Sequence, residues 1–306
     1  MKIMITGGSG FVGTYLSEFL LDKEHTVIAV STSPISRLTG HKNFKYFPAD
    51  TTQEGSWQNE LEDINAVINL AGRNIFKFWT KRYKAQINDS RILTTRNLVN
   101  ALPEKPEKSE NKEIIFLSTS AAGYYGDRAD EMLYENTTPG DDFLAKVCLD
   151  WEKEALLAEK KGARVALMRF GVVLGKNGGA LAKMIPAFKL FVGGPIGTGK
   201  HWFPWIHIND LLSAITFILE NNDIKGPVNL GAPDPVRNHD LAKALGSVLK
   251  RPSFMPAPAF MIKFFMGELG KTLLNSQRMI PDKLVKNGFE FEFPEICNAL
   301  RDLQKI

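Results

Sequence analysis

Near the start of the chain, Thr6-Gly7-Gly8-Ser9-Gly10-Phe11-Val12-Gly13 has the composition and spacing to hold a pyrophosphate. The apolar run Lys2-Ile3-Met4-Ile5 leads directly into it, and a helix-period segment follows. In that context Gly7 permits a tight turn out of a strand. Gly10 lets the backbone approach phosphate, and Gly13 lets the helix lie close to the sheet. The N–H groups at the helix start, here those of Phe11 and Val12, then point at the ligand with the positive end of the helix dipole behind them. The chemistry implied is dinucleotide binding.

The elements that would position this loop alternate in type. Strand-like runs fall at Thr26–Ser31, Phe44–Ala49, Ala66–Leu70, Ile114–Ser118 and Arg164–Phe170. Helical segments fall at 10–23, about 80–102 and 143–160, and a charged, proline-bearing loop at 103–112. This alternation predicts an α/β fold, a Rossmann-type doubly wound parallel sheet. After Gly171 the chain becomes glycine-rich, with one helix near 180–190, a short strand at Ile206–Ile208, a helix capped by Asp210 and a strand at Pro227–Leu230. The tail from 238 onward reads as helices at 240–249, 259–274, 281–287 and 295–303. Residues 1–170, completed by about 205–230, are expected to form the nucleotide-binding domain. Residues 171–204 and 231–306 are expected to form a smaller, mainly helical substrate domain.

In such a sheet the ligand lies beyond the carboxyl ends of the strands, which brings Ser31–Arg37, Asp50, Leu70-Ala71-Gly72 and Ser118–Gly126 toward one cleft. The second strand ends Val30-Ser31-Thr32-Ser33-Pro34 without the carboxylate that would take a free ribose 2′-hydroxyl. Ser31, Thr32 and Arg37 instead suit a 2′-phosphate, so the sequence favours NADP(H) over NAD. Arg37 also fits a solvated loop, and Asp50 fits either an adenine contact or a turn before Thr51.

Bulk properties exclude other classes. The net charge of +4, from 38 basic and 34 acidic residues along the chain, argues against a nucleic-acid partner. Two cysteines, Cys148 and Cys297, make neither a disulfide framework nor a metal site. No basic leader precedes an apolar stretch, and the apolar run 259–266 is broken by Lys263 and too short to span a bilayer. The expectation is a cytoplasmic monomer or homodimer with a small-molecule substrate, no metal and no stable membrane insertion.

The glycine motif, Asn69-Leu70-Ala71-Gly72 and Ser118-Thr119-Ser120-Ala121-Ala122-Gly123-Tyr124-Tyr125-Gly126 together resemble the extended short-chain dehydrogenase/reductases. Asp89-Ser90-Arg91, Pro139-Gly140-Asp141-Asp142-Phe143-Leu144, Gly171-Val172-Val173-Leu174-Gly175 and Phe203-Pro204-Trp205-Ile206-His207-Ile208 narrow this. They resemble an epimerase-like branch, the YfcH family, whose chains end in a domain of unknown function, and the likeness runs along essentially the whole chain. The resemblance implies an NADP-type Rossmann fold and a catalytic Ser, Tyr and Lys, the Lys one helical turn after the Tyr. The resemblance brings no settled substrate, because the branch is named by similarity to sugar-nucleotide epimerases; a small polar molecule, nucleotide-linked or not, is the expectation.

Ser120 fits the Ser, with Ser118 and Thr119 as rivals. The helix expected to hold the Tyr and Lys reads Asp141-Asp142-Phe143-Leu144-Ala145-Lys146-Val147-Cys148 and has no Tyr. The Tyr position falls at Phe143 or Leu144 and the Lys position at Val147 or Cys148, while Arg91 stands near the superfamily's helix-four Asn. Loss of that pair removes roughly two to four decades of acid–base assistance unless Tyr125 or Lys146 substitutes. Arg91 is expected to bind cofactor, and Trp205 and His207 to line the substrate pocket. Each also has a packing role open to it. Arg169, ending a buried strand, needs either a ligand phosphate or a structural carboxylate. Two functions follow: an NADP(H)-dependent epimerase-like oxidoreductase, or an NADP(H)-binding sensor or scaffold with degenerate machinery.

Overall fold

The computed structural model describes residues 1–104, 113–176 and 178–304. The loop expected over 103–112 lies, beyond Glu104, outside these residues. In chain order the first half comprises β1 (Lys2–Thr6), α1 (Phe11–Asp22), β2 (Thr26–Ser31), β3 (Phe44–Pro48), β4 (Ala66–Asn69), α2 (Lys81–Ala101), β5 (Ile115–Ala121), β6 (Met132–Leu133), α3 (Phe143–Leu156) and β7 (Arg164–Phe170). There follow β8 (Val172–Leu174), α4 (Leu181–Lys189), β9 (Trp202–Phe203), β10 (Trp205–His207), α5 (Ile208–Glu220), β11 (Gly226–Leu230), β12 (Val236–Arg237) and α6 (Asn238–Leu249). The tail holds α7 (Ala259–Thr272), β13 (Arg278–Met279), α8 (Asp282–Lys286) and α9 (Ile296–Gln304).

Seven strands form one parallel sheet in the order β11-β7-β5-β4-β1-β2-β3. The chain leaves β1 toward β3, then returns to place β4 on β1's other side. The direction of winding therefore reverses between β1 and β4, where a crevice opens. Strand alternation supplies two cores. Ile3 and Ile5 share an apolar cluster with Leu16 and Leu20 of α1 and Leu211 and Ile215 of α5. Met4, Val67 and Phe116 point the other way, to Leu98 of α2 and Ala155 of α3. Each leucine of this kind contributes roughly 1.5–3 kcal/mol by leaving water, which fixes which face each helix covers.

The smaller strands tie the later chain to this sheet. β10 pairs with β8 in parallel, β12 with β9 antiparallel, and β13 with β6 in parallel, while α6 packs on α9. Two expectations about the helices need correction. The helix over 259–274 is broken at Gly267, whose φ of 59° and ψ of −130° are non-helical where its backbone meets the Phe78 ring. Asp210 does not cap α5. His207 does, accepting the Asn209 N–H at 3.1 Å through Nδ1. Asp210 is buried and accepts instead from the backbone N–H groups of Glu292 and Phe293 at 2.8 and 3.1 Å, anchoring the tail.

His207 is 1% exposed, its ring 3.9 Å from that of Phe293 and its Nε2 3.5 Å from an Asp302 carboxylate oxygen. Burial lowers its pKa to about 4, only partly offset by Asp302, so the ring is neutral at pH 7. An unfolded histidine titrates near 6.5, so the unfolded chain takes up the proton first as pH falls. The stabilisation is complete above pH 6.5 and is lost between there and pH 4. His207→Asn keeps a capping oxygen without the titration. In denaturant melts, the stability advantage of the native protein over this variant should shrink by on the order of 2 kcal/mol between pH 7 and pH 4.

Candidate cofactor and active site

The turn between β1 and α1 is built so that side chains cannot fill it. Gly7 has φ +71°, and a Cβ there would stand 2.8 Å from the Leu70 carbonyl oxygen. A Cβ on Gly13 would stand 2.3 Å from the Gly7 oxygen, so the helix meets the turn backbone to backbone. Gly10 donates its N–H to the Gly7 oxygen at 2.9 Å and begins α1 with no side-chain cap. The first-turn N–H groups of Phe11 and Val12 thus lack intrahelical partners. The Phe11 ring itself turns away, against Gly175, Gly178 and Gly179, where a Cβ on any of the three would come within 3.0 Å of it. That contact accounts for the glycine run that follows β8.

At the adenosine end, the Ser31 and Ser9 hydroxyls lie 2.7 Å apart. Thr32 and Arg37 are exposed, and Arg37 has no hydrogen bond or ion pair among the described residues. Asp50 Oδ1 accepts both the N–H and the hydroxyl of Thr52, at 3.0 and 2.7 Å, which is the turn-forming role. It is exposed, and its Oδ2 is unengaged.

At the other end, a chain of hydrogen bonds sets the cleft floor. The Thr6 hydroxyl donates to Asn69 Oδ1 at 2.7 Å, Asn69 Nδ2 donates to Thr95 Oγ1 at 2.8 Å, and Trp151 Nε1 donates to the same Oγ1 at 2.8 Å. These links lock β1, β4, α2 and α3 around Leu70-Ala71-Gly72. Arg91, on α2, closes over Gly72, where a Cβ would stand 3.0 Å from its Cζ. Its Nη1 donates to the Ile87 and Arg73 carbonyls at 2.9 and 3.3 Å, and its guanidinium lies 5.2 Å from the Trp151 ring centre. Desolvation lowers its pKa, partly offset by Cys148 and Tyr83, and no carboxylate pairs with it. Among the described residues, Nε and Nη2 form no hydrogen bond.

Ser120 lies near the end of β5 on the α3 side, 1% exposed; among the described residues its hydroxyl makes no well-formed hydrogen bond, though it interacts with the Cys148 thiol. The α3 residues facing its loop are Leu144 and Cys148, one helical turn apart. A Cβ on Gly123 would lie 3.4 Å from Leu144 Cβ and 3.9 Å from Cys148 Sγ. Phe143 points elsewhere, edge-on to Trp79 at 5.2 Å. The two alternatives for each position thus reduce to Leu144 in place of Tyr and Cys148 in place of Lys. Burial, with Glu152 nearby, pushes the Cys148 thiol up to about 11 against the pull of Arg91 and the Ser120 hydroxyl, so it stays protonated at neutral pH.

Four expected site residues are not brought to this cleft. Tyr125 is fully buried. Its hydroxyl donates to Asn229 Oδ1 at 2.6 Å and accepts from Arg169 Nη1 at 3.0 Å. Burial raises its pKa to about 12, so it neither reaches the cleft nor titrates usefully. Lys146 lies on the opposite face of α3 from Cys148, exposed in a separate cavity of about 500 Å³ with Lys84, Asp142 and Lys271. Trp205 and His207 are 1% exposed and pack in the β8–β10–α5 core, the packing role that was open to each.

Arg169 meets Glu152 in a two-pronged pair, Nε–Oε1 and Nη2–Oε2 both 2.8 Å, beneath the Tyr124 ring at 3.5 Å. Burial alone would lower its pKa, but Glu152 more than offsets this and holds it above the usual value. The structural carboxylate is therefore its partner. The residues that sequence reasoning missed are Glu152, Asn229 and the choice of Leu144 with Cys148. A buried arginine beside a helix with an inward glutamate was the available signal for Glu152. Asn229 left none, being one polar residue in a short strand.

The fold and cradle define a dinucleotide-binding α/β protein. Residues 3–231 match the model of the NAD dependent epimerase/dehydratase family, to which the chain belongs, and residues 257–303 match a domain of unknown function, DUF1731. It is 40% identical to an epimerase family protein, the chloroplastic SDR39U1 homolog of Arabidopsis thaliana, over 100% of this chain and 87% of that one. It is 36% identical to epimerase family protein YfhF of Bacillus subtilis over 99% and 98% of the two chains. Among solved structures, human epimerase family protein SDR39U1, crystallised with NADPH, superposes with TM-score 0.86 at 31% identity over 99% of both chains.

Gly10→Val should weaken NADPH binding at least about tenfold by placing a branched side chain where backbone must approach phosphate. Fluorescence titration, with circular dichroism to verify folding, measures this. Unchanged affinity would remove Gly10 from the pyrophosphate site.

Proposed function

We propose that the protein binds NADP(H) and acts as an epimerase-like oxidoreductase on a small polar substrate of nucleotide-sugar type. The observation that carries this reading is the side-chain-free cradle at Gly7–Gly13 together with the buried Ser120 hydroxyl two strands away in the same sheet. The NADPH in the human relative supports it. Phe11 and Val12 would hold the pyrophosphate, Ser31, Thr32 and Arg37 the 2′-phosphate, and Leu70-Ala71-Gly72 the cofactor's midsection. Asp50 Oδ2 remains suited to the adenine amino group. When bound, NADP(H) supplies the hydride donor or acceptor.

In this reading Ser120 orients the reacting oxygen of the substrate. Arg91, a half-buried cation with Nε and Nη2 uncommitted, would bind an anionic or oxygen-rich group beside Gly72. No side chain at Ser120 exchanges protons near neutral pH, since the Cys148 thiol is raised to about 11. Substrate hydroxyls or solvent would therefore complete proton transfer. Residues 1–170 with about 205–230 would serve the cofactor, and the remainder would close over the substrate. The two free thiols suit a reducing cytoplasm.

Leu144 and Cys148 at the positions facing Ser120 favour a second reading, an NADP(H)-responsive sensor or scaffold. Turnover by the purified protein across a panel of carbonyls and sugar nucleotides supports the first. Tight NADPH binding without turnover, and a partner gained or lost with NADPH, supports the second. Arg37→Ala should weaken NADPH by roughly 10- to 100-fold, the loss of one charge-assisted phosphate contact, and leave NADH unchanged. Parallel titrations of both cofactors decide it, and equal losses would place Arg37 outside a 2′-phosphate site.

A further inference from the structure

Helix α7 is rich in large apolar residues, with Lys263, Glu268 and Lys271 among them. Met266, Leu269 and Leu273 pack inward with Trp79, Tyr83 and Ile87. The part of α7 before the break at Gly267 presents Phe260, Met261, Phe264 and Phe265 to solvent, with Phe260, Phe264 and Phe265 73, 79 and 68% exposed. So many exposed phenylalanines on one face mark an interaction surface. Two other segments extend this surface. The chain after α4 runs beside the start of the α7 segment, linked by Ala257 N–H to the Pro195 oxygen at 2.9 Å and Gly197 N–H to the Ala257 oxygen at 2.8 Å, and adds exposed Leu190, Phe191 and Val192. The loop after β4 adds Phe76 and Phe78, the latter packed on Gly267. All seven exposed phenylalanines among the described residues, Phe254 before α7 included, lie in these segments and the stretch leading into α7.

The same segments are basic. Residues 73–84, 181–192 and 250–272 contain eleven Lys and Arg and a single acid, Glu268, which Lys84 already neutralises at 2.8 Å. Setting aside these eleven cations and one anion turns the chain's net +4 into −6 for everything else. Cations and rings interleave: Arg251 lies 4.7 Å from the Phe191 ring centre and Lys183 lies 5.5 Å from that of Phe76.

We propose that this face docks the protein on an anionic lipid surface, with the phenylalanines entering the headgroup–acyl boundary and the lysines and arginines meeting lipid phosphates. A second copy of the chain is the wrong occupant. A two-fold contact would set this cationic patch against itself, where like charges repel. A bilayer matches both properties at once, because interfacial binding adds apolar burial to attraction for anionic headgroups. Among the described residues no helix is long and apolar enough to cross a membrane, so the attachment is peripheral. Phe76 and Phe78 stand on the loop that continues from Leu70-Ala71-Gly72, so the docked face borders the cofactor cleft.

The test is co-sedimentation of the full chain with vesicles of phosphatidylcholine alone and of phosphatidylcholine containing about one-third phosphatidylglycerol, at low and at roughly 0.5 M salt. The expected result is binding to the anionic vesicles only, falling about tenfold at high salt and about tenfold in Phe264→Glu/Phe265→Glu, with Lys183→Glu/Lys189→Glu also weakened. NADPH affinity, unchanged in both variants, verifies their fold. No vesicle binding, equal binding to neutral vesicles, or undiminished binding by the variants overturns the proposal. So does a dimer in gel filtration that Phe264→Glu/Phe265→Glu dissolves, since a second copy would then cover the face.

Discussion

The buried pair between Arg169 and Glu152 is the constraint on which the rest of the site depends. It joins β7 to α3 in the middle of the molecule, at the level where the strands end and the cleft begins. A lone buried cation there would be strongly destabilising, so the sheet and α3 are held in one relative position by the requirement that both charges be satisfied. The remaining donor of Arg169 reaches the Tyr125 hydroxyl and the Glu135 carbonyl, both at 3.0 Å. Asn229 of β11 then accepts from Tyr125 and donates to the Leu133 and Ile280 carbonyls at 3.1 and 2.9 Å. One ion pair thus fixes α3, the loop after β5, β11 and the tail strand together.

That network explains an apparent contradiction at the active site. The loop following Ser120 contains two tyrosines, yet neither serves it as an acid. Tyr125 is spent on the network, and Tyr124 lies against the Arg169 guanidinium, its phenol raised by burial. The hydroxyls of Thr119 and Ser120 and the guanidinium of Arg91 remain, with Cys148, held protonated by burial, under the influence of Ser120 and Arg91. The glycine turn at Gly7–Gly13 is intact, while the α3 residues facing the loop after Ser120 are a leucine and a thiol.

Much of the frame was legible in the order of residues. The strand–glycine–helix run at 2–22, the alternation of strands and helices, and the missing carboxylate after β2 depend on local backbone geometry and on period-2 and period-3.6 patterning. Both are written in sequence. Asp50 as a turn former was readable as an alternative for the same reason, since Thr52 lies two residues away. That Ser118, Thr119 and Ser120 stand at the carboxyl end of a sheet strand was legible from the same patterning.

The sequence could not determine which side chains are consumed by partners distant along the chain. Tyr125 became structural because Asn229 is 104 residues away, and His207 because Asp302 and Phe293 fold back onto it. Lys146 and Cys148 differ by two positions, yet α3's rotation, set by Glu152 meeting Arg169, sends one to solvent and the other to the serine. Asp210 had the type and place of a helix cap, but the tail offered two backbone donors in a buried site, and His207 took the cap. Sequence alone thus determined the elements and the phosphate cradle, because these follow from local sterics and periodicity. Tertiary structure decided which polar groups remain uncommitted, because buried hydrogen bonds and charges are satisfied by whatever packing brings near.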